Sequence, residues 1–328
     1  MDKVTVIGDG GWGTALALLL HSRGVDTVLW SAFPEYAEYL KKNRENTKFL
    51  EGVPLPGDLA ITSDESKVKE ADYAIFAVPC KYLRPVAERF RDASFNCIVS
   101  VIKGIENGSL KRPSEILAEH YPGNCICVLT GPSIAHEVAC GAPTTVVAAS
   151  RDECRFSVQK LLTTESFRVY TLKDVTGAEL GGALKNIIAI AAGISDGLGF
   201  GTNSKAALLT RGLAEISRLG VKMGAEKETF SGLSGIGDLT TTCISLYSRN
   251  RWFGEQMAKG RTKENVLSET EMVVEGLSTC KAAYDLSKKY EVEMPITEKI
   301  YQVIYEGKDP KVAVKELMTR DLKEENHN

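Results

Sequence analysis

Short β-branched runs alternate with amphipathic stretches through the first half of the chain. The runs at residues 4–7, 27–30, 73–78, 97–102, 125–129 and 144–149 are bounded by Gly, Pro or charged residues. Between them, segments such as 83–91 and 113–120 place apolar residues on one helical face. Apolar strands alternating with helices predict a parallel sheet covered on both faces. After about Thr171 the strand signals fade. From Ala178 onward Leu180, Leu184, Ile187, Ile188, Ala191 and Ile194 recur at helical spacing. Further helical patterns run through 204–223, 251–259, 279–290, 297–306 and 310–318. The expected architecture is α/β, with a parallel-sheet domain over residues 1–180 followed by an all-helical domain over 181–328. The tail from Lys323 to Asn328 reads as disordered.

A length of 328 residues agrees with two domains, at roughly 150 residues per domain. Forty Lys and Arg against 43 Asp and Glu give a net charge of −3, which argues against a nucleic-acid binder. The eight cysteines are scattered, and Cys125 and Cys127 share one strand face at a spacing that suits no metal finger. With only four histidines in the chain, the expectation is reduced core thiols, no metal, and a cytoplasmic protein. The first strand begins at Val4, which leaves no room for a signal peptide. The longest apolar run, 187–194, falls short of a membrane span, which takes about 20 residues.

Glycine changes the picture, because the 29 glycines are clustered. Gly8-Asp9-Gly10-Gly11-Trp12-Gly13 follows the first strand directly and opens a helix over 14–22. Gly8 permits a tight turn, Gly10 lets the backbone approach a pyrophosphate, and Gly13 allows close helix–strand packing. That context makes the first domain a Rossmann-type NAD(P)-binding domain. Ligands on such sheets sit outside the carboxyl ends of the strands. Lys103-Gly104 and Gly131-Pro132-Ser133 both follow predicted strands, so they join the candidates.

Lys185 is the most informative residue. It is the single charge in Gly181-Gly182-Ala183-Leu184-Lys185-Asn186-Ile187-Ile188-Ala189-Ile190-Ala191-Ala192. Desolvation disfavours a buried ammonium, which is what a base working near neutral pH requires. Further on, Asp238 follows a Gly-rich turn, and Ser248-Arg249-Asn250-Arg251 opens a helix. Two arginines there oppose the helix dipole, and a bound phosphate would remove the conflict. His136 has no acid nearby in sequence to orient it, and Cys243 has no neighbouring cation to activate it; both are read as structural.

These motifs in this order resemble the bacterial-type NAD(P)-dependent glycerol-3-phosphate dehydrogenase family. The resemblance rests on G-D-G-G-W-G at 8–13, V-I-K-G at 101–104, G-P-S-I-A-H-E-V at 131–138 and G-G-A-L-K-N-I-I-A-I at 181–190. It extends through S-D-G-L-G-F-G-T-N at 195–203, G-I-G-D-L at 235–239, S-R-N-R at 248–251, V-V-E-G at 273–276 and M-P-I-T at 294–297. It implies interconversion of sn-glycerol 3-phosphate and dihydroxyacetone phosphate with NAD or NADP, supplying the phospholipid backbone. Lys185 then matches the proton acceptor, with Lys103 and Asp238 as its catalytic companions. Lys103, Gly131, Ser133, Asp238, Ser248, Arg249 and Asn250 match substrate contacts. Gly11, Trp12, Lys103, Ala135, Arg249, Val273 and Glu275 match positions that touch the dinucleotide, beside Gly8, Gly10 and Gly13 of the loop.

One departure stands out. Many members carry Arg or His just after the second strand, where this chain has Ser31-Ala32-Phe33. NADH is therefore expected to serve at least as well as NADPH. The expected partners are a phosphorylated small molecule and, as one assembly open to such a chain, a second copy in a homodimer; no nucleic acid and no integral membrane segment are expected. Two rival readings remain: a related β-hydroxyacid or sugar-phosphate dehydrogenase, and a non-catalytic dinucleotide-binding protein.

Overall fold

A computed structural model describes residues 2–325. The chain divides into two compact units: one runs to Lys103 and from Lys111 to Val175, the other comprises Gly104–Leu110 and everything from Thr176 onward. Residue 180, the expected boundary, lies in the second turn of the helix Val175–Gly197.

The first unit is built on β1 (Lys3–Ile7), β2 (Asp26–Trp30), β3 (Glu45–Asn46), β4 (Leu50–Pro54), β5 (Ala60–Thr62), β6 (Tyr73–Phe76), β7 (Cys97–Ser100), β8 (Cys125–Thr130), β9 (Thr144–Ala149) and β10 (Phe167–Leu172). Eight of these form one sheet in the order β10-β9-β8-β7-β6-β1-β2-β5, while β3 and β4 make a separate antiparallel pair. Neighbours are parallel except β8 and β9, so the expected parallel sheet is corrected at that edge, where β9 and β10 run the other way. β10 has no counterpart among the predicted strands because its residues alternate between buried and exposed rather than forming an apolar run. The sheet reverses its strand order at β1: the chain moves outward to β2 and β5, then returns to β6 on the other side. The carboxyl end of β1 is thus the switch point at which ligands of such sheets bind.

Two apolar clusters pack against the sheet. One contains Val6, Leu16, Leu20, Leu29 and Ile75, the other Ile7, Trp30, Phe76, Phe90 and Ile98. The expectation of reduced cysteines is corrected at the start of β8. Cys125 and Cys154, at the head of the helix Cys154–Leu162, form a disulfide with Cα atoms 6.3 Å apart. Twenty-nine residues of sequence separate them, a distance over which strand spacing carries no pairing signal.

From Thr176 onward the regular elements among the described residues are all helices, joined by turns. Val175–Gly197 is long and apolar enough by composition to cross a membrane, unlike the short run expected, yet the whole apolar window is buried inside the protein. It is the axis of a core that includes Leu184, Ile188, Ile216, Phe230, Phe253 and Leu286. Helices Thr202–Lys222, Arg249–Ala258, Glu275–Lys289, Pro295–Tyr305 and Pro310–Met318 each contribute buried residues to that core. At the tail Lys323 pairs with Glu293 at 2.8 Å, against the expected disorder; Asn326 to Asn328 lie outside the described residues.

Candidate active site

The first unit carries an anion-binding loop. Gly8 has φ +121°, and a Cβ there would come within 2.9 Å of the Ala77 carbonyl. Gly13 is closed to any side chain, since its Cβ would meet the Gly8 oxygen at 2.0 Å. Gly10 is the opposite, with nothing within 4 Å of the position a Cβ would take. It caps the helix Gly11–Ser22 without a side-chain hydrogen bond, and the first turn contains no acid. The leading amides are therefore left for an anion beside an opening, an arrangement that fits the pyrophosphate of a dinucleotide. Ala135 stands against this loop, its Cβ 3.7 Å from where a Gly11 Cβ would be. The Trp12 ring packs inward, 6.4 Å from the Phe167 ring.

At the ends of β7 and β8 two expected substrate residues converge. Lys103 Nζ donates to the Gly131 carbonyl at 3.1 Å, and Ser133 Oγ donates to the same oxygen at 2.9 Å. Gly131 has φ +130° and lies so close to Val146 that a Cβ would reach 3.1 Å from its Cα. A cation and a hydroxyl are thus fixed on one carbonyl. His136, in the short helix Ala135–Ala139, faces Cys140 Sγ at 3.8 Å.

The second unit places Lys185 midway along its central helix, in a stretch buried without interruption from Thr176 to Ser195. The lysine is not an isolated ammonium: it meets Asp238, one of the two companions expected for it. Its Nζ donates to Asp238 Oδ1 and, at 2.6 Å, to Thr242 Oγ1. Thr242 spends its own proton on the Asp238 carbonyl at 2.7 Å. The lysine side chain is 6% exposed and the aspartate 1%, so the pair compensates two charges that would each cost several kcal/mol if buried alone. Glycines bring the partners together. A Cβ on Gly181 would lie 2.3 Å from the Ser234 oxygen, so the turn Leu233–Gly237 rests directly on the central helix and delivers Asp238. Gly181 thus serves helix-to-backbone contact.

The same device seats the helix Arg249–Ala258. Gly193 faces the Arg251 oxygen at 1.8 Å from its would-be Cβ, and Gly254 faces the Ile190 oxygen at 2.0 Å. Asn250 consequently meets the central helix: its Nδ2 donates to Asn186 Oδ1 at 2.9 Å, and its Oδ1 accepts from Gly276 N at 2.9 Å. Ser248 caps the helix by accepting from Arg251 N at 3.3 Å. The two arginines have different fates. Arg251 is neutralised inside the protein by Asp196 at 2.7 Å and Glu255 at 2.8 Å. Arg249 is exposed, though flanked closely enough that desolvation lowers its proton affinity while the Glu275 charge opposes this. An arginine stays charged in such a setting, which makes Arg249 the cation offered at this helix start. Glu275 opens the helix Glu275–Lys289, with Val273 half-buried two residues earlier. Cys243 is buried and its thiol is pushed up to about 12, as suits an inert residue.

Two members of this constellation have no role in the sequence reading. Thr242 lies one helical turn after Asp238, and Asn186 adjoins Lys185 as the other polar residue of the apolar stretch. Thr242 lies in position to meet the Lys185 ammonium, whereas Asn186 turns to the Asn250 amide; the signal in each case is a polar residue at a buried helical position. Among the described residues no group of three or more His, Cys, Asp or Glu is placed to hold a metal.

Comparison with known proteins agrees in both units. Residues 3–155 match the family described as NAD-dependent glycerol-3-phosphate dehydrogenase N-terminus, and residues 174–315 match its C-terminus. A glycerol-3-phosphate dehydrogenase (NAD(P)+) of Chlorobium phaeobacteroides is 49% identical, over 98% of this chain and 99% of its own. The protein of the same description from Pelotomaculum thermopropionicum is 51% identical, over 97% of this chain and 93% of its own. The crystal structure of glycerol-3-phosphate dehydrogenase from Coxiella burnetii superposes with a TM-score of 0.93 at 36% identity, covering 97% of this chain and 99% of that one.

Proposed function

Because the chain belongs to the NAD-dependent glycerol-3-phosphate dehydrogenase family, we propose that Lys185 is the proton carrier of its reaction and that Arg249 and Asn250 hold the substrate phosphate. The enzyme interconverts sn-glycerol 3-phosphate and dihydroxyacetone phosphate with NAD(P). Bound NAD(P) supplies the hydride chemistry; the chain supplies position and charge. As the neutral amine Lys185 takes the proton of the C2 hydroxyl in one direction, and as the ammonium so formed it polarises the C2 carbonyl and returns that proton in the other. Asp238 and Thr242 hold its ammonium in a fixed place, so no reorganisation is needed as charge develops on the substrate oxygen. Asn250, clamped between Asn186 and Gly276 N, presents a rigid main chain at the start of its helix, and Arg249 adds a guanidinium fork that suits phosphate. Lys103, Gly131 and Ser133 belong to the same assignment as substrate contacts. Gly8, Gly10, Gly11, Trp12, Gly13, Lys103, Ala135, Arg249, Val273 and Glu275 are assigned to the dinucleotide.

The observation that carries this reading is the ion pair of Lys185 with Asp238, the lysine being the single charge of the stretch from Gly181 to Ala192. A non-catalytic scaffold gives no reason to bury it. The direct experiment follows NADH consumption with dihydroxyacetone phosphate, dihydroxyacetone and a panel of β-keto acids. Turnover confined to the phosphorylated triose is expected, and equal turnover with an unphosphorylated keto acid would refute the phosphate assignment. The role that follows is supply of glycerol 3-phosphate for phospholipid synthesis in the cytoplasm.

A further inference from the structure

We propose that Asp9, the middle residue of Gly8-Asp9-Gly10, discriminates between the two cofactors, its carboxylate accepting hydrogen bonds from free ribose hydroxyls of the adenosine half and repelling a 2′-phosphate. The inference rests on the assignment of the glycine loop to the dinucleotide. In sheets of this kind the acid that reads the ribose ordinarily stands at the end of the second strand. Here that position is Ser31, which is fully buried. The parallel register pairs Ile7 with Trp30, and Gly8 N bonds the Trp30 carbonyl at 3.0 Å, so Asp9 and Ser31 emerge side by side. Ser31 Oγ lies 2.5 Å from Asp9 Oδ2 and accepts from Phe33 N at 3.2 Å. Its single proton is thus directed to Asp9. The acid that the second strand lacks is supplied from the first strand's loop, and the serine occupies one of its lone pairs.

Asp9 is also held from behind. Asn46, fully buried in β3, donates to the Asp9 carbonyl at 2.8 Å and to Thr14 Oγ1 at 2.8 Å. The Asn46 Oδ1 accepts from Tyr36 OH at 2.7 Å and Phe49 N at 3.2 Å, so both ends of the amide are engaged. The loop carbonyl cannot swing without breaking this set. A carboxylate offers about four lone-pair sites, and Ser31 takes one of them, while the residue remains half-exposed beside the opening at Gly10. Burial raises the Asp9 carboxyl above the ordinary aspartate value, with the Ser31 bond and the Lys48 charge acting the other way. Lys48 comes from the segment between β3 and β4, its ammonium 5.2 Å from the Phe49 ring and 5.8 Å from that of Tyr36. It is the cation that acts on Asp9, whereas Lys41 of the helix Pro34–Asn43 is paired with Glu38 at 2.6 Å.

The test measures dissociation constants of NADH and NADPH for the full-length enzyme by fluorescence titration at one fixed ionic strength, for wild type, Asp9→Asn and Ser31→Ala. Asn keeps the size of Asp and an acceptor for Ser31, so Asp9→Asn removes the charge and little else. It is expected to shift the ratio of the two constants at least tenfold toward NADPH, and to improve competition by adenosine 2′-phosphate over adenosine 5′-phosphate. Ser31→Ala removes the link to Asp9 while keeping the charge, and its ratio is expected to stay within threefold of wild type. If wild type and Asp9→Asn bind NADH alike and show the same ratio, the discriminator role is overturned and the dinucleotide site stands. If Ser31→Ala moves the ratio as far as Asp9→Asn does, Asp9 acts only as a tie between β1 and β2, which also overturns it. A wild-type protein that binds neither nucleotide removes the site itself, and the inference with it.

Discussion

Lys185→Met separates the catalytic meaning of the buried pair from its structural one. The ammonium and its partner are 6% and 1% exposed, so neither charge is screened by water. Removing one partner of such a pair leaves the other charge buried, at a cost of about 3–5 kcal/mol. Lys185→Met takes the ammonium from the Asp238 carboxylate; Asp238→Asn takes the carboxylate from the ammonium, which keeps its bond to Thr242 Oγ1. Each single variant should therefore lose stability, and at ~2–4 °C per kcal/mol for a unit of this size the melting temperature should fall by roughly 6–20 °C. The double variant removes both charges, and a neutral pair of similar volume in a buried site is often no less stable than the ion pair. It should recover most of the lost stability. Activity should not follow: loss of a positioned proton carrier costs about 10²–10⁴-fold, in the single Lys185→Met and in the double variant alike. Calorimetry gives the stabilities, NADH oxidation with dihydroxyacetone phosphate the turnover, and NADH titration an intact cofactor site. Turnover of Lys185→Met within tenfold of wild type would refute the base assignment. A double variant as unstable as the worse single would refute the charge-pair argument.

Arg249→Ala should lower kcat/KM for dihydroxyacetone phosphate by about 10- to 150-fold, the equivalent of one hydrogen bond to a charged group at 1.5–3 kcal/mol. With NADH saturating for each enzyme, so that the contact of Arg249 with the dinucleotide does not enter, the same variant should leave the poor rate with unphosphorylated dihydroxyacetone unchanged, and equal losses on both substrates would disprove the phosphate grip. Wild type should use NADH at least as efficiently as NADPH in steady-state assays at one salt concentration; a tenfold preference for NADPH would show that a cation reaches the ribose. Glu215 gives a pH prediction. Its buried carboxyl accepts from Ile296 N at 2.6 Å and Thr297 N at 3.2 Å at the head of the helix Pro295–Tyr305, and burial pushes it up to about 7. The unfolded chain releases that proton near pH 4.3, so between about 4.3 and 7 it binds fewer protons than the folded protein and stability falls as pH rises. Glu215→Gln should flatten that part of the melting-temperature profile, and an unchanged slope would refute the assignment to Glu215.

Local pattern alone was enough for the glycine loop, the strands that flank it and the lone lysine of the central helix. Each is a signal of period or composition within about one element: β-branched runs, helical spacing, a charge where none belongs. The resemblance to the dehydrogenase family likewise rests on short motifs read in order. Tertiary structure decided what those residues face. Local pattern marks Lys185 as the single charge of its stretch, but its bond to Asp238 forms only when a turn 53 residues later is laid on its helix, and that contact depends on Gly181 having no side chain. The two arginines of Ser248-Arg249-Asn250-Arg251 are equivalent in sequence. Only folding gives Arg251 to Asp196 and leaves Arg249 exposed. Asp9 and Ser31 become neighbours through the register of β1 on β2, and Cys125 meets Cys154 because a strand start and a helix start coincide in space. The direction of β9 was equally hidden, since a fully buried strand has the same apolar run whichever way it pairs. Sequence period specifies which face of an element is buried; which side chains meet across two elements is set by how closely their backbones can approach, and that is a property of the fold.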